Sequence, residues 1–392
     1  MLKTCFAFIF LIPFLSFSQT VSSTVVTGAE RMNEYLPLLK NKKVALLVNQ
    51  TSMVKQTHLV DTLLSKGVQI TGIFAPEHGF RGTGDAGEKI SSGIDAKTGL
   101  KVTSMYGASK KPSAKSMEGM DVVVYDIQDV GARFYTYISS LQYMMEACAE
   151  NNVPLLVLDR PNPNGFYVDG PVMETPYRSF IGMQAIPVVY GMTVGEYAQM
   201  LNGEKWLSGG KTCKLTVISC KNYDHKTMYE LPVAPSPNLR SPVSVLLYPS
   251  LCLFEGTDVS VGRGTSKPFE VWGHPGFKNM PYSFTPVSTP GAKTPPHKDE
   301  VCYGENLSLP TTALCKMLDG KMNLSWIKKA YSMSANKDSF FTPFFLKLTG
   351  TATLKKQLSE GWSEEEIRKS WQPGIDSFKQ IRKKYLLYID FE

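Results

Sequence analysis

Between Lys43 and Tyr167 the chain alternates short apolar runs with longer segments whose apolar residues recur every three or four positions. Val44-Ala45-Leu46-Leu47-Val48 is apolar throughout, the pattern of a strand covered on both faces. His58–Ser65 carries Leu59, Val60, Leu63 and Leu64, a helical stripe. Val68–Phe74 reads as a second strand, Val102–Met105 as a short third and Asp121–Ile127 as a fourth. Ile138–Asn151 then predicts a helix and Val153–Leu158 another buried strand. This alternation predicts an α/β fold with a Rossmann-like, mostly parallel sheet and helices on both faces.

The second half is less periodic. Thr193–Leu201 reads as a helix, with Thr193 and Glu196 spaced as a capping box. Lys214–Ser219 reads as a strand, Leu231–Pro249 is broken by prolines, and Phe254–Pro275, rich in Gly, Thr and Ser, reads as loops. Ser363 and Glu366 cap a terminal helix, followed by a further helical stretch over Ile375–Leu387. No repeat or low-complexity linker marks a boundary, which is expected between Tyr190 and Ser219.

Lys3 is the only charge before Glu30, and an apolar run from Cys5 to Phe17 follows it. With the small Ser16 and Ser18, residues 1–18 read as a signal peptide, so export to the periplasm or medium is expected, with a mature start near Gln19. The run is too short to span a bilayer, so no stable membrane insertion is expected. The formal charge of +7 falls to +6 without Lys3 and is not clustered, so there is no nucleic-acid footprint. Cys148, Cys213, Cys220, Cys252, Cys302 and Cys315 show no CxxC spacing, and the five histidines no HExxH, so a metal site is not expected. Cys148, on a helical stretch with Met144, Met145 and Ala147, reads as a buried thiol. Gly82-Thr83-Gly84-Asp85-Ala86-Gly87 fits a dinucleotide pattern in the wrong context, because Asp85 lies where a pyrophosphate would approach. Gly262–Lys267 lacks the order of a phosphate loop, and no GxSxG elbow occurs, so no cofactor is expected.

Polar clusters follow four of the strands. They are Asn49-Gln50-Thr51; Pro76-Glu77-His78-Gly79; Asp126, Gln128 and Asp129; and Asp159 to Asn164, with Arg160 and Asn162. Ligands of open parallel sheets bind outside the carboxyl ends of the strands, so these clusters point to one mouth. Glu77 beside a flexible Gly79 suits a general acid, or else a cap or ion pair; His78 suits a substrate hydrogen bond or a structural one. Arg133, ahead of Tyr135, suits an anionic group or a pairing with Asp129. Glycoside hydrolysis generally needs a second carboxyl, for which Asp126, Asp129 and Glu255 all qualify. Asn238, Arg240, Glu255, Thr257, Arg263, Glu270 and Trp272 form a polar and aromatic set suited to a sugar or to loop structure.

On these residues the chain resembles the exo-β-N-acetylmuramidases of the NamZ type, glycoside hydrolase family 171. The matching segments are Leu47–Thr51, Phe74–Gly82, Asp126–Tyr137, Leu158–Pro163, Pro235–Asn238 and Phe254–Thr265. The resemblance implies a Rossmann-like domain over 24–205 and a smaller α+β auxiliary domain over 206–392, with the active-site cleft between them. It implies release of N-acetylmuramic acid from the non-reducing end of peptidoglycan fragments without cofactor or metal. It carries Glu77 over as catalytic, with His78, Asp126 and Asp129 as further candidates. Asn49, Arg81, Gln128, Tyr135 and the polar residues named above are expected to bind the saccharide. Among Arg81, Arg133, Arg160, Arg240 and Arg263, Arg133 is the first expectation for the lactyl carboxylate and Arg160 the second. A non-catalytic peptidoglycan-binding protein and a cell-wall amide or ester hydrolase are the rival classes.

Overall fold

The strand β1 (Lys43–Val48) shows why an unbroken apolar run is needed. Its side chains alternate between two cores: Ala45 and Leu47 point into one, Val44, Leu46 and Val48 into the other. The same division holds for β7 (Val122–Asp126) and β8 (Leu155–Leu158). The helix Tyr137–Glu150 covers the first face through Ile138, Leu141, Met144 and Met145; the helix Leu59–Ser65 covers the second through Leu59, Val60 and Leu63. The structure, a computed structural model, describes residues 24–80, 92–107 and 109–392.

A two-residue hairpin, β2 (Met53–Val54) and β3 (Thr57–His58), leads into the helix Leu59–Ser65. The main sheet is completed by β4 (Gln69–Ala75), β5 (Gly93–Ile94), β6 (Lys101–Ser104) and β9 (Leu215–Ile218). Its order is β5-β6-β4-β1-β7-β8-β9, parallel throughout except for β5 at the edge. The six parallel strands thus have the doubly wound Rossmann order, with its switch between β1 and β7. Because β9 lies in this sheet, the first domain continues beyond residue 205.

The second, smaller part holds an antiparallel sheet of β10 (Val271–His274), β12 (Cys302–Asn306) and β11 (Tyr282–Phe284), in that order, with helices from Thr311 onward. Three local expectations change here. Pro242–Leu251 is a helix, because Pro242 occupies its first turn, where no N–H is needed. Phe254–Pro275 contains a 3-10 turn and β10 rather than loops alone. Glu364–Arg382 is a single helix that runs through Pro373.

The chain end returns to the first domain. The Tyr388 hydroxyl donates to Asp159 Oδ2 (2.6 Å), Leu387 N to Glu196 Oε1 (2.8 Å), and Arg382 is fixed by the Gly191 carbonyl and Asp390. No described helix is long and apolar enough to cross a membrane. Residues 1–18 and 82–87, with the leader and the dinucleotide-like pattern, lie outside the described residues.

Candidate active site

Glu77 sits one residue past Pro76 at the carboxyl end of β4. A tight turn aims it: Gly79 N donates to Pro76 O (3.0 Å), and both His78 (φ 68°) and Gly79 (φ 78°) are left-handed. A left-handed histidine is strained, and such strain persists only where the surroundings enforce it. The Thr136 hydroxyl donates to Glu77 Oε2 (2.8 Å). Thr136 is the N-cap of Tyr137–Glu150, yet its side chain makes no cap bond and goes to Glu77 instead. The carboxyl therefore lies beside the positive end of a four-turn helix. The Tyr106 phenol, just past β6, is a second donor. Burial first, and then the Glu77 charge beside it, hold its hydroxyl well above the ordinary tyrosine range, so it stays protonated.

Glu77 faces a cavity of about 750 Å³. His78, Tyr106, Tyr135, Thr136 and Phe180 line it from the first domain; Glu255, Thr257, Arg263, Phe269 and the loop from Gly291 to Pro296 line it from the second. Along the wall of the first domain the hydroxyls of Tyr135 (2.8 Å) and Tyr137 (3.2 Å) both donate to the Pro235 carbonyl. Arg263 Nε donates to Glu255 Oε1 at 2.5 Å, and the guanidinium lies 4.9 Å over the Phe269 ring. Burial works against the Arg263 charge, but Glu255 more than offsets it and leaves the group above its ordinary value.

The cavity thus gathers six of the sequence candidates: Glu77, His78, Tyr135, Glu255, Thr257 and Arg263. The other described candidates take structural places. Asp126 and Arg160 form a buried two-bond ion pair (2.6 and 2.9 Å) at the switch point, so each is committed to the other, and Arg160 also reaches the Met53 carbonyl. Asp129 Oδ2 accepts from Tyr190 and from Gly131 N; burial pushes its carboxyl up to about 6 against those bonds. Neither aspartate lines the cavity, whereas Glu255 does.

Arg133 is the clearest correction. It is 0% exposed, and its guanidinium donates to four main-chain carbonyls, of Pro171, Ile186, Leu348 and Thr349, at 2.7–2.8 Å. Leu348 and Thr349 end the helix Pro343–Thr349, so a cation satisfies its orphan carbonyls and none of its four terminal N–H groups is left for a substrate. Asp159 accepts from Thr193 and Tyr388 and fixes the chain end. Asn49 holds its own turn through Thr51, and Gln128 donates to the carbonyls of Asp129 and Pro161. Asn162 donates to the Met192 carbonyl and Asn238 to that of Gly291. Arg240 is exposed and bonds the Pro237 carbonyl. Trp272 is buried flat against Phe254 and offers no sugar platform, and His58 caps the helix that follows it. Arg81 lies outside the described residues.

Tyr106, Thr136 and Phe180 are site residues that the strand-end reasoning did not single out. Thr136 was within reach, being three residues past Arg133 in a matching segment; Tyr106 and Phe180 stand alone in the sequence with no motif around them.

A Rossmann sheet with a smaller domain closing a carboxyl-bearing cavity over its strand ends defines a two-part α/β protein. The chain belongs to the family of the exo-beta-N-acetylmuramidase NamZ: the model of its N-terminal part matches residues 44–243 and that of its C-terminal part residues 246–388. The junction so drawn falls after β9, in agreement with the sheet. The peptidoglycan beta-N-acetylmuramidase NamZ of Bacillus subtilis (strain 168) is 38% identical over 384 residues, 93% of this chain and 91% of its own. A solved DUF1343-family protein from Bacteroides fragilis NCTC 9343 superposes with a TM-score of 0.87 at 48% identity, covering 94% of this chain and all (100%) of its own. A second from the same organism superposes with a TM-score of 0.77 at 29% identity, covering 93% and 99%.

Proposed function

We propose that the protein is an exo-acting β-N-acetylmuramidase, a glycoside hydrolase that releases N-acetylmuramic acid from the non-reducing end of peptidoglycan fragments. The observation that carries the chemistry is the Glu77 carboxyl, aimed into a two-domain cavity and held by Thr136 and Tyr106. Cleavage of a glycosidic bond needs a proton delivered to the leaving oxygen. Glu77 supplies it as general acid, and its two hydroxyl partners fix the direction of transfer. Glu255 is the second carboxyl of the cavity, positioned by Arg263 to meet the anomeric face. His78 lies beside Glu77 on the same wall and suits a hydrogen bond to the sugar. Incubation with defined glycan fragments, followed by mass spectrometry, tests the reading. One free N-acetylmuramic acid is expected from each fragment that carries it at the non-reducing end, with the reaction stopping at the N-acetylglucosamine then exposed; internal cleavage, or release of peptide without sugar, would contradict it.

Export belongs to the same proposal. Lys3, the apolar run Cys5–Phe17 and the small Ser16 and Ser18 support removal of residues 1–18, which puts the enzyme where its polymer is. Mass spectrometry of the native protein is expected to find a first residue near Gln19, and an intact Met1 would refute it.

A further inference from the structure

Arg263 is held in an unusual way for a surface loop residue. The glycines on both sides of it are left-handed, Gly262 at φ 75° and Gly264 at φ 81°. Neither tolerates a side chain: a Cβ on Gly262 would stand 2.5 Å from Val271 Cγ2, and one on Gly264 2.4 Å from the Val287 carbonyl oxygen. The backbone under Arg263 is thereby fixed. The side chain is fixed too, with Nε bonded to Glu255 and one guanidinium face on the buried Phe269. Neither Nη1 nor Nη2 hydrogen-bonds to any described residue, while the side chain remains 17% exposed on the cavity wall. What remains is a two-nitrogen fork, already ordered, in the cavity that holds Glu77.

An uncharged acetamido sugar has no group that needs such a fork. A carboxylate matches it in two parallel bonds, and because the guanidinium is already immobile, little further ordering opposes binding. N-acetylmuramic acid differs from N-acetylglucosamine by an ether-linked lactyl carboxylate. Of the other arginines considered for it, Arg133 is fully bonded to carbonyls, Arg160 is paired with Asp126, Arg240 lies off the cavity, and Arg81 lies outside the described residues. We propose that Arg263 is the specificity residue of this enzyme and binds the lactyl carboxylate of the terminal sugar end-on through Nη1 and Nη2, while Glu255 and Phe269 hold its plane. This rests on the muramidase reading above.

The test compares an aryl β-N-acetylmuraminide with its lactyl methyl ester, which keeps the shape and removes the charge. Wild type is expected to favour the acid in kcat/KM by roughly 10- to 150-fold, the span of a charge-assisted hydrogen bond. In Arg263→Gln the acid-to-ester ratio is expected to fall to near one. In Arg263→Lys, which keeps the charge and loses the fork, it is expected to fall part of the way. A merely structural role would lower both rates and leave the ratio alone, and that result would overturn the proposal. If Arg263→Gln does not fold, the Lys variant decides: a wild-type ratio in it counts against the fork. Equal wild-type rates on acid and ester would refute the role of Arg263 while leaving the muramidase reading intact. No hydrolysis of either substrate would refute both.

Discussion

Asp129 shows how a residue of catalytic type can be structural. Its carboxyl, with the Tyr190 hydroxyl and Gly131 N on Oδ2, is pushed by burial up to about 6. An unfolded aspartate titrates near 3.9, so between these values the folded state holds a proton that the unfolded chain does not. The contribution is fully present below the unfolded value and is lost as pH rises through the folded one. The melting temperature of wild type relative to Asp129→Asn is therefore expected to rise as pH falls from 7 to 4. A difference that stays flat over that range would count against the assignment. At this scale the sequence was legible where a side chain acts on what lies in front of it. Glu77, Glu255 and Arg263, which line the cavity, were all named as candidates from their motifs, but Glu255 stood level with Asp126 and Asp129, and Arg133 and Arg160 were preferred to Arg263. It was illegible where partners are main-chain carbonyls: nothing in the local sequence of Arg133 reveals the ends of segments at Pro171, Ile186 and Leu348.

The elements predicted in the first half were read within a residue or two, because strands such as β1, β7 and β8 are covered on both faces and have to be wholly apolar, while the helices Met32–Leu39 and Ala114–Met117 and the two-residue strands β2, β3 and β5 were not predicted. The second half was harder. Pro242–Leu251 has two prolines, and β10 is four residues within a glycine-rich stretch, so neither local pattern outweighs the breakers around it. Packing between elements decides them, and Arg133 is one such joint. It bonds the end of the helix Pro343–Thr349 to the segments around Pro171 and Ile186. Arg133→Met keeps most of the stem and strands four buried carbonyls, each of which costs roughly 1–3 kcal/mol when left without a donor. A loss of at least about 3 kcal/mol in urea unfolding is expected on that basis. A variant with wild-type stability would show that Arg133 is not the joint described.

Across the whole molecule, the strand-end argument found the right end of the sheet and missed the position along it. The switch point between β1 and β7, where ligands of such sheets often sit, is filled by the Asp126–Arg160 pair. The cavity stands instead over the ends of β4 and β6, where Glu77 and Tyr106 emerge, and is closed by the second domain. That closure is a tertiary fact with no local signature. The central claim is that Glu77 delivers the proton in this cavity. Glu77→Gln preserves size and hydrogen-bonding capacity but cannot transfer a proton. A general acid contributes roughly 10²–10⁴-fold in rate. On an unactivated disaccharide with N-acetylmuramic acid at the non-reducing end, kcat is expected to drop by that factor. On a nitrophenyl glycoside, whose leaving group needs little protonation, the drop is expected to be much smaller. Near wild-type turnover of the disaccharide by Glu77→Gln would contradict the account.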